Sequence, residues 1–303
     1  MISQNRAEKA KVLRGQCNSN AQVAQMMGVS EGTVRRYLRL ANKNKMPRIL
    51  LMDIETAPLE VYSWGIRKQH LGHFQIKEEW FILSWAAKWL LEDGVYSDCV
   101  TPEEAVLKED GRILKGIHDL LEMAHIVVAH NAIRFDVRKL NYRFIVYGYL
   151  KPSPYQIVDT LKQAQKHLAA SSHKLDHLTK TFGLSQKDDT DFSLWVDCCN
   201  GDQESLDYML KYNISDIKAL EGLYLYLRPW ISSHPNISLY TDVDGKICAN
   251  CGSGELNWNI NEYYTPAGKF KAARCMDCGA ISRSRFSSIL PEKREHLTIS
   301  VAR

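Results

Sequence analysis

Asp53 and Glu55 stand one residue apart inside the apolar run Leu50–Thr56, and that spacing is the first in the chain that suggests chemistry. In an extended strand, side chains alternate between faces, so both carboxylates project one way while Met52 and Ile54 turn into the packing. Two carboxylates on one face repel each other, and a hard divalent cation, which prefers oxygen ligands, makes such a pair favourable. The same pattern fits the solvated face of an acidic edge strand, so a metal site requires further acids. Asp136 is one, closing the stretch His130–Asp136 where a β-branched run gives way to a helix. Asp216 is another, four residues after Tyr212 and therefore on the same helix face. Singly, each has an ordinary structural reading: Asp136 as a helix-start acid, Tyr212 as half-buried core, Asp216 as a solvated helix residue. Together, in this order, they outline a carboxylate site.

A second cluster carries different chemistry. Cys248, Cys251, Cys275 and Cys278 form two C-x-x-C pairs, each followed by glycine, while Cys17, Cys99, Cys198 and Cys199 are scattered. Paired spacing of this kind reads as metal binding before disulfides. Four thiolates close a tetrahedral Zn²⁺ site with no open position for water, a structural metal that staples a segment too small to fold on its own core. The module resembles a zinc ribbon, the aromatic segment between the pairs forming a hairpin. Its Lys269, Lys271, Arg274, Arg283 and Arg285, with nearby aromatics, could track a nucleic-acid strand, and docking of a protein partner is the other reading.

The elements that must position these groups follow from periodicity. Leu50–Thr56, Trp80–Trp89 and Val95–Val100 read as strands, with a turn at Glu92–Gly94. Ile113–Ala124 has helical spacing, and His125–Ala129 is a short β-branched run typical of a buried parallel strand. From Ile157 the pattern is strand, helix over Thr160–Leu168, helix over Leu175–Phe182, a charged loop at Lys187–Asp191, and two helical stretches, Gln203–Lys211 and Tyr212–Leu227. Early strands followed by alternating strands and helices give an α/β fold with a mixed sheet. Ends of strands in such sheets are where sites gather, so Asp136 can reach the edge that carries Asp53 and Glu55.

Gln4–Ala41 reads as three short helices. Gly28–Ser30 breaks the helix before it, and Ser30 can cap a new helix from Glu31 to Ala41 with Val34, Tyr37 and Leu38 inward. This resembles a helix-turn-helix unit, whose second helix would present Thr33, Arg35, Arg36 and Arg39 to a DNA major groove. A helical hairpin used for protein contacts is the alternative. Charge is partitioned accordingly: ten Lys/Arg against two acids in residues 1–48, twenty against twenty-six in 49–240, and nine against seven in 241–303. Basic ends around an acidic centre suit a metal-dependent site served by nucleic-acid-binding flanks. No run approaches the ~20 apolar residues that span a bilayer, and the first residues lack the apolar centre of a signal peptide, so the expectation is a cytoplasmic protein without membrane association. Domain boundaries are expected at 1–47, 48–240 and 241–303. The histidines show no ligand spacing.

Asp53-x-Glu55, His130-Asn131 through Phe135-Asp136, and Tyr212-x-x-x-Asp216 resemble the three blocks of the DEDD 3′→5′ exonuclease superfamily. The tyrosine is similar to that of the DEDDy branch, which includes the proofreading domains of family A and B DNA polymerases. Val158–Leu161 and Lys174–Leu184 support the resemblance, which covers about residues 48–230. It implies a ribonuclease H-like fold, a five-stranded mixed sheet with flanking helices, and two Mg²⁺ or Mn²⁺ ions. In that scheme Asp53 bridges the ions, Glu55 and Asp216 serve the one that activates water, Asp136 helps hold the other through waters, and Tyr212 orients the attacking water. Asn131 would contact the substrate strand. The resemblance implies a 3′→5′ exonuclease taking a single-stranded 3′ end, DNA before RNA, with duplex held at the helix-turn-helix. No polymerase segment accompanies it, so the flanking modules would recruit the substrate. A structure-selective endonuclease, and a DNA-binding regulator with an idle nuclease fold, are the alternatives. By analogy the combination would suit a phage or mobile-element nuclease, then acting in the host cytoplasm.

Overall fold

Ser19 starts the first complete helix, α1 (Asn20–Met27): its hydroxyl accepts from the Gln22 N–H, and the Gln22 side chain accepts from the Ser19 N–H. This reciprocal cap satisfies two donors that a helix start leaves open. Gly28, at φ 64°, ends α1 in the left-handed conformation that glycine adopts without penalty. Ser30 Oγ then accepts from the Thr33 N–H, and residues 31–34 are helical. Val23, Ala24 and Val34 pack with Ala10 into a small core. The computed structural model describes all residues except 1–5, 7–8, 11, 15, 17, 35–36, 38–45, 67–69, 185–189, 244, 300 and 302–303. Arg35, Arg36, Arg39 and the expected inward Leu38 therefore lie outside the described residues.

Two compact units emerge, Arg48–Ile231 and a second formed by Met1–Pro47 with Ser232–Arg303. The larger unit ends at Ile231, nine residues before the boundary at 240 that the sequence suggests. Its strands are β1 (Ile49–Thr56), β2 (Glu60–Val61), β3 (Ile76–Glu78), β4 (Ile82–Trp89), β5 (Val95–Cys99), β6 (Ile126–Ala129) and β7 (Gln156–Asp159). Its helices are α2 (Pro102–Leu107), α3 (Gly111–Met123), α4 (Asp136–Val146), α5 (Thr160–His167), α6 (Leu175–Thr181), α7 (Phe192–Cys199) and α8 (Gln203–Leu227). Five strands form one sheet in the order β5-β4-β1-β6-β7. β5, β4 and β1 run antiparallel to their neighbours, while β1, β6 and β7 are parallel. The acid-bearing β1 is thus the central strand, not an edge, and its Leu50, Leu51 and Met52 are fully buried.

Several elements depart from the sequence pattern. Gln203–Leu227 is one helix of 25 residues, because no proline interrupts it, the single Gly222 is accommodated, and its buried positions, among them Leu206, Met209, Asn213, Asp216 and Leu220, recur at helical spacing. The β2–β3 hairpin, α2 and α7 carry too few periodic positions to be read in advance. Among the described residues no helix is long and apolar enough to cross a membrane.

In the second unit, β8 (Leu256–Asn257), β9 (Tyr263–Thr265), β10 (Gly268–Phe270), β11 (Ala272–Cys275) and β12 (Ile281–Arg283) precede a short α9 (Pro291–Arg294). β9 and β10 pair as an antiparallel hairpin, and β8, β11 and β12 form a three-stranded sheet.

One buried ion pair locks the larger unit. Arg143 on α4 donates through Nε and Nη2 to both Asp110 oxygens, Nη2 to Oδ1 at 2.6 Å, and Asp110 Oδ2 also accepts from the Ile82 N–H at 2.8 Å. Asp110 precedes α3, yet its carboxylate makes no cap there. Removing one member of a buried pair leaves an uncompensated charge. Asp110→Ala is expected to cost about 3–5 kcal/mol in urea unfolding. The double change Asp110→Leu with Arg143→Met should recover part of that loss, and a single variant as stable as the parent would contradict the assignment.

Candidate metal centres

Strand register creates the carboxylate site. β1 pairs with β6 only through Ile49–Leu51, so Asp53–Glu55 run on past the parallel partner while remaining paired with β4 on the other side, Asp53 opposite Ala86 and Glu55 opposite Ser84. The alternation holds: Met52 and Ile54 are buried, whereas Asp53 and Glu55 are half-exposed. α8 brings the third acid. Carboxylate oxygens of Asp53, Glu55 and Asp216 all lie within 4.8 Å of one another.

Asp136 sits behind this group. It occupies the first turn of α4, is 1% exposed, and its Oδ1 accepts from the Ile54 N–H at 3.3 Å, beyond the point where β6 stops pairing. Its Oδ2 is buried without a hydrogen-bond partner. Burial pushes the Asp136 carboxyl up to about 7, the charges of Glu55 and Asp159 add to the rise, and the backbone N–H groups oppose it. A buried carboxylate oxygen with no donor, beside three converging acids, is a donor set short of positive charge. That fits Mg²⁺ or Mn²⁺, whose ligands are oxygens. Asp53, Glu55, Asp216 and Asp136 would hold such ions.

Two residues that the sequence reading passed over position the acids. Asn213 is fully buried on α8 and donates from Nδ2 to Asp53 Oδ2 at 2.7 Å. Trp195 on α7 donates from Nε1 to Glu55 Oε2 at 3.3 Å, and its ring meets Tyr212 edge-on, centroids 6.2 Å apart. Asn213 had a signal, since it lies within the Tyr212–Asp216 block and three residues from Asp216. Trp195 had none, because its contact joins residues 140 positions apart.

The loop leading to Asp136 is set by Asp159, at the end of β7. Asp159 Oδ1 accepts from the Asn131 and Lys162 N–H groups, and Oδ2 from Ile133. Asn131 is thereby held at φ 78°, a left-handed conformation that asparagine tolerates better than most residues. His130 donates from Nε2 to the His173 carbonyl, and its Nδ1 lies 3.0 Å from Thr160 Oγ1, so it is a strut of the loop.

The second cluster is as tightly drawn. Cys248, Cys251, Cys275 and Cys278 sulfurs lie within 4.8 Å of one another, with Cys248–Cys278 and Cys251–Cys275 at 3.6 Å. A tetrahedron with Zn–S bonds of about 2.3 Å has edges of about 3.8 Å, and a disulfide would need about 2.05 Å. Gly252 and Gly279 both stand at φ 79° and return N–H bonds to the Cys248 and Cys275 carbonyls, closing each knuckle. The four sulfurs fit one Zn²⁺. In the first segment, Thr33 is half-buried with its hydroxyl 2.9 Å from Ser30 Oγ, part of the helix start.

A family model described as the RNase H superfamily matches residues 95–228, from β5 through α8. That stretch includes Asp136, Tyr212 and Asp216 and leaves out β1. The mixed five-stranded sheet with flanking helices is a ribonuclease H-like α/β fold, the fold of a large class of nucleases. No curated protein matches the chain. Among solved structures 161 chains match. One is the family B DNA polymerase from the hyperthermophilic archaeon Pyrobaculum calidifontis, at 14% identity and a TM-score of 0.46, covering 75% of this chain and 32% of that one. The chain spans about a third of that polymerase's length.

The strained state of Asp136 has a measurable sign. Its folded pKa lies above the ~3.9 of an unfolded aspartate, so between these values the folded form, free of divalent cations, holds a proton that the unfolded chain has released. Stability should therefore fall as pH rises from about 4 to about 7 and level off above. In buffer without divalent cations, Asp136→Asn is expected to flatten the melting-temperature profile across that window and to melt higher than the parent at pH 8. An unchanged profile would show that Asp136 is not the group responsible.

Proposed function

We propose that the unit Arg48–Ile231 is a divalent-metal-dependent nuclease that removes nucleotides from the 3′ end of DNA, with RNA as a second substrate. The observation that carries this reading is the convergence of Asp53, Glu55 and Asp216 within 4.8 Å, backed by a buried Asp136 oxygen without a donor. Cations bound there would supply Lewis acidity to the scissile phosphate and to the attacking water. The protein's own part is positioning. Asn213 orients Asp53, Trp195 orients Glu55, and the Ile54 N–H orients Asp136, so the acids are held before any substrate arrives. Tyr212, whose ring meets Trp195 edge-on, would direct a water by hydrogen bonding.

The neighbouring cleft favours cutting at an end. It measures about 560 Å³ and is lined by Thr56, Trp80, Lys139, Phe192 and Trp195. Flat aromatic walls suit a base, whose π-face stacks without regard to sequence. Lys139 lies 3.9 Å over the Trp80 ring and donates to Thr56 Oγ1 at 2.9 Å, and burial pulls its ammonium down to about 8. An aromatic-walled cleft sharing Trp195 with the acids supports removal of terminal nucleotides over structure-selective endonuclease action. The complete acid set weighs against a regulator with an idle fold.

The flanking modules are proposed to recruit the substrate. The capped α1, the Gly28 turn and the Ser30 start support a helix-turn-helix that meets duplex DNA through Arg35, Arg36 and Arg39, Thr33 serving its cap. Around the four cysteines, Arg283 lies 4.1 Å from the Phe270 ring centre and Lys246 4.5 Å from that of Trp258, a surface suited to a strand, with protein docking as the alternative.

A 5′-labelled single strand in Mg²⁺ should shorten stepwise from its 3′ end, a circular strand should resist, and Asp53→Ala should abolish the shortening. Linearised circles would establish the endonuclease instead. Asn213→Ala should lower kcat about 10–100-fold, the usual effect of losing a partner that orients a metal ligand. For recruitment, Arg35→Ala with Arg39→Ala should weaken duplex binding and reduce the slope of log affinity against log salt by about two. An unchanged slope would remove the helix-turn-helix from DNA binding.

A further inference from the structure

Lys139 combines burial with the lack of an acid partner. Lys88 and Lys108, also drawn into the fold, are taken: Lys88 by Glu221, and Lys108 by Glu60 at 3.0 Å and Glu78 at 3.5 Å. Lys139 is half-buried and forms no ion pair among the described residues, and the carboxylate that acts on it through space is Glu79. We propose that Lys139 is a substrate-binding residue, its ammonium pairing with a phosphate oxygen of the nucleotide whose base lies in the cleft walled by Trp195 and Phe192. The proposal rests on the nuclease reading and adds to it the side chain that grips the phosphate.

The ammonium is held in an aromatic sleeve. It lies 3.9 Å from the Trp80 ring centre and 4.9 Å from that of Phe135, and it donates to Thr56 Oγ1 at 2.9 Å. Trp80 is itself backed by Tyr142, their ring centres 5.4 Å apart. Ring faces attract a cation without neutralising it, and an ammonium carries three N–H donors, so capacity remains for a second acceptor. Burial lowers the pKa of this group, as expected of a charge that has lost water and gained no counter-ion. An anion in the cleft would supply what is missing.

Placement selects the anion. Asp136 and Lys139 stand three apart on α4 and share a helix face, and Thr56 directly follows Glu55. Trp195 lines the cleft and also donates to Glu55 Oε2, so cleft and acid cluster share a wall. Among the described residues that line the cleft, Lys139 carries the only charge. One cation beside flat rings complements a ligand that joins an anion to a base, and a nucleotide is such a ligand. An inorganic anion would leave the rings unused, and a nucleoside would leave the ammonium unused.

Thymidine 5′-monophosphate and thymidine, each titrated into the full chain in Mg²⁺, isolate the contribution of the phosphate. The parent should bind the monophosphate more tightly. Lys139→Gln, which keeps a donor for Thr56, should weaken the monophosphate about tenfold and leave thymidine within about twofold. Lys139→Arg, which keeps the charge, should recover most of that loss. On a 5′-labelled oligothymidylate, Lys139→Gln should raise KM while kcat stays within about twofold, the pattern of lost binding and not of displaced acids. Monophosphate affinity within about twofold of the parent would overturn the proposal. An equal loss for thymidine and its monophosphate would do the same, since Lys139 would then only prop Trp80. A parent chain that discriminates the two ligands through Lys139 yet shortens no strand would overturn the nuclease reading and leave the phosphate grip standing.

Discussion

Four carboxylates crowd the end of a strand whose parallel neighbour stops short, and holding them there against mutual repulsion is the constraint that the rest of Arg48–Ile231 satisfies. β6 ends its pairing with β1 at Leu51, and past that point one edge of β1 no longer has a neighbouring strand. Asp136 takes up the Ile54 N–H in that gap, so a helix-borne acid completes what the sheet leaves open. The same gap makes room for Asp53 and Glu55 to face a ligand instead of a strand. Site and sheet thus share one irregularity. Filling it with a longer β6 would satisfy the backbone and close the site.

Three of the four acids are then held by donors from different elements: Asp53 by Asn213 on α8, Glu55 by Trp195 on α7, and Asp136 by the backbone of β1 itself. None of these donors is a charged side chain. A lysine or arginine would neutralise the acids and compete with a divalent cation, whereas an amide, an indole and a backbone N–H orient them and leave their charge available. Lys139, near the site, is turned onto Trp80 and Thr56. Asp159 performs the matching task for the loop before α4, so β7 contributes to a site that none of its own residues enters.

The smaller unit solves a different problem by different means. In its segment Ser232–Arg303 the strands are two to four residues long and the apolar cluster consists largely of the cysteines themselves, Cys248 and Cys275 with Ala280. So small a core cannot hold a chain against its conformational entropy, which is why four sulfurs at tetrahedral spacing matter structurally as well as chemically. The larger unit sets its converging acids on an extensive core, whereas in this segment the cysteines are themselves much of the core.

Much of this was legible in the chain alone, and the division has a physical cause. Alternation in Leu50–Thr56 placed Asp53 and Glu55 on one face, helical spacing placed Tyr212 with Asp216, and the doubled C-x-x-C-G drew the four cysteines, because these are local relations set by backbone period and turn geometry. Local pattern also read Gln203–Leu227 as two helices, since periodicity does not reveal that a continuous face lies along β1 and β4. Tertiary structure alone decided that β1 is central, that β6 falls short of it, and that Asn213 and Trp195 hold the acids. Each of these depends on residues far apart in sequence, such as Trp195 and Glu55, whose meeting no local period encodes. The chain specified which groups could do the chemistry; packing decided which of them meet and what holds them in place.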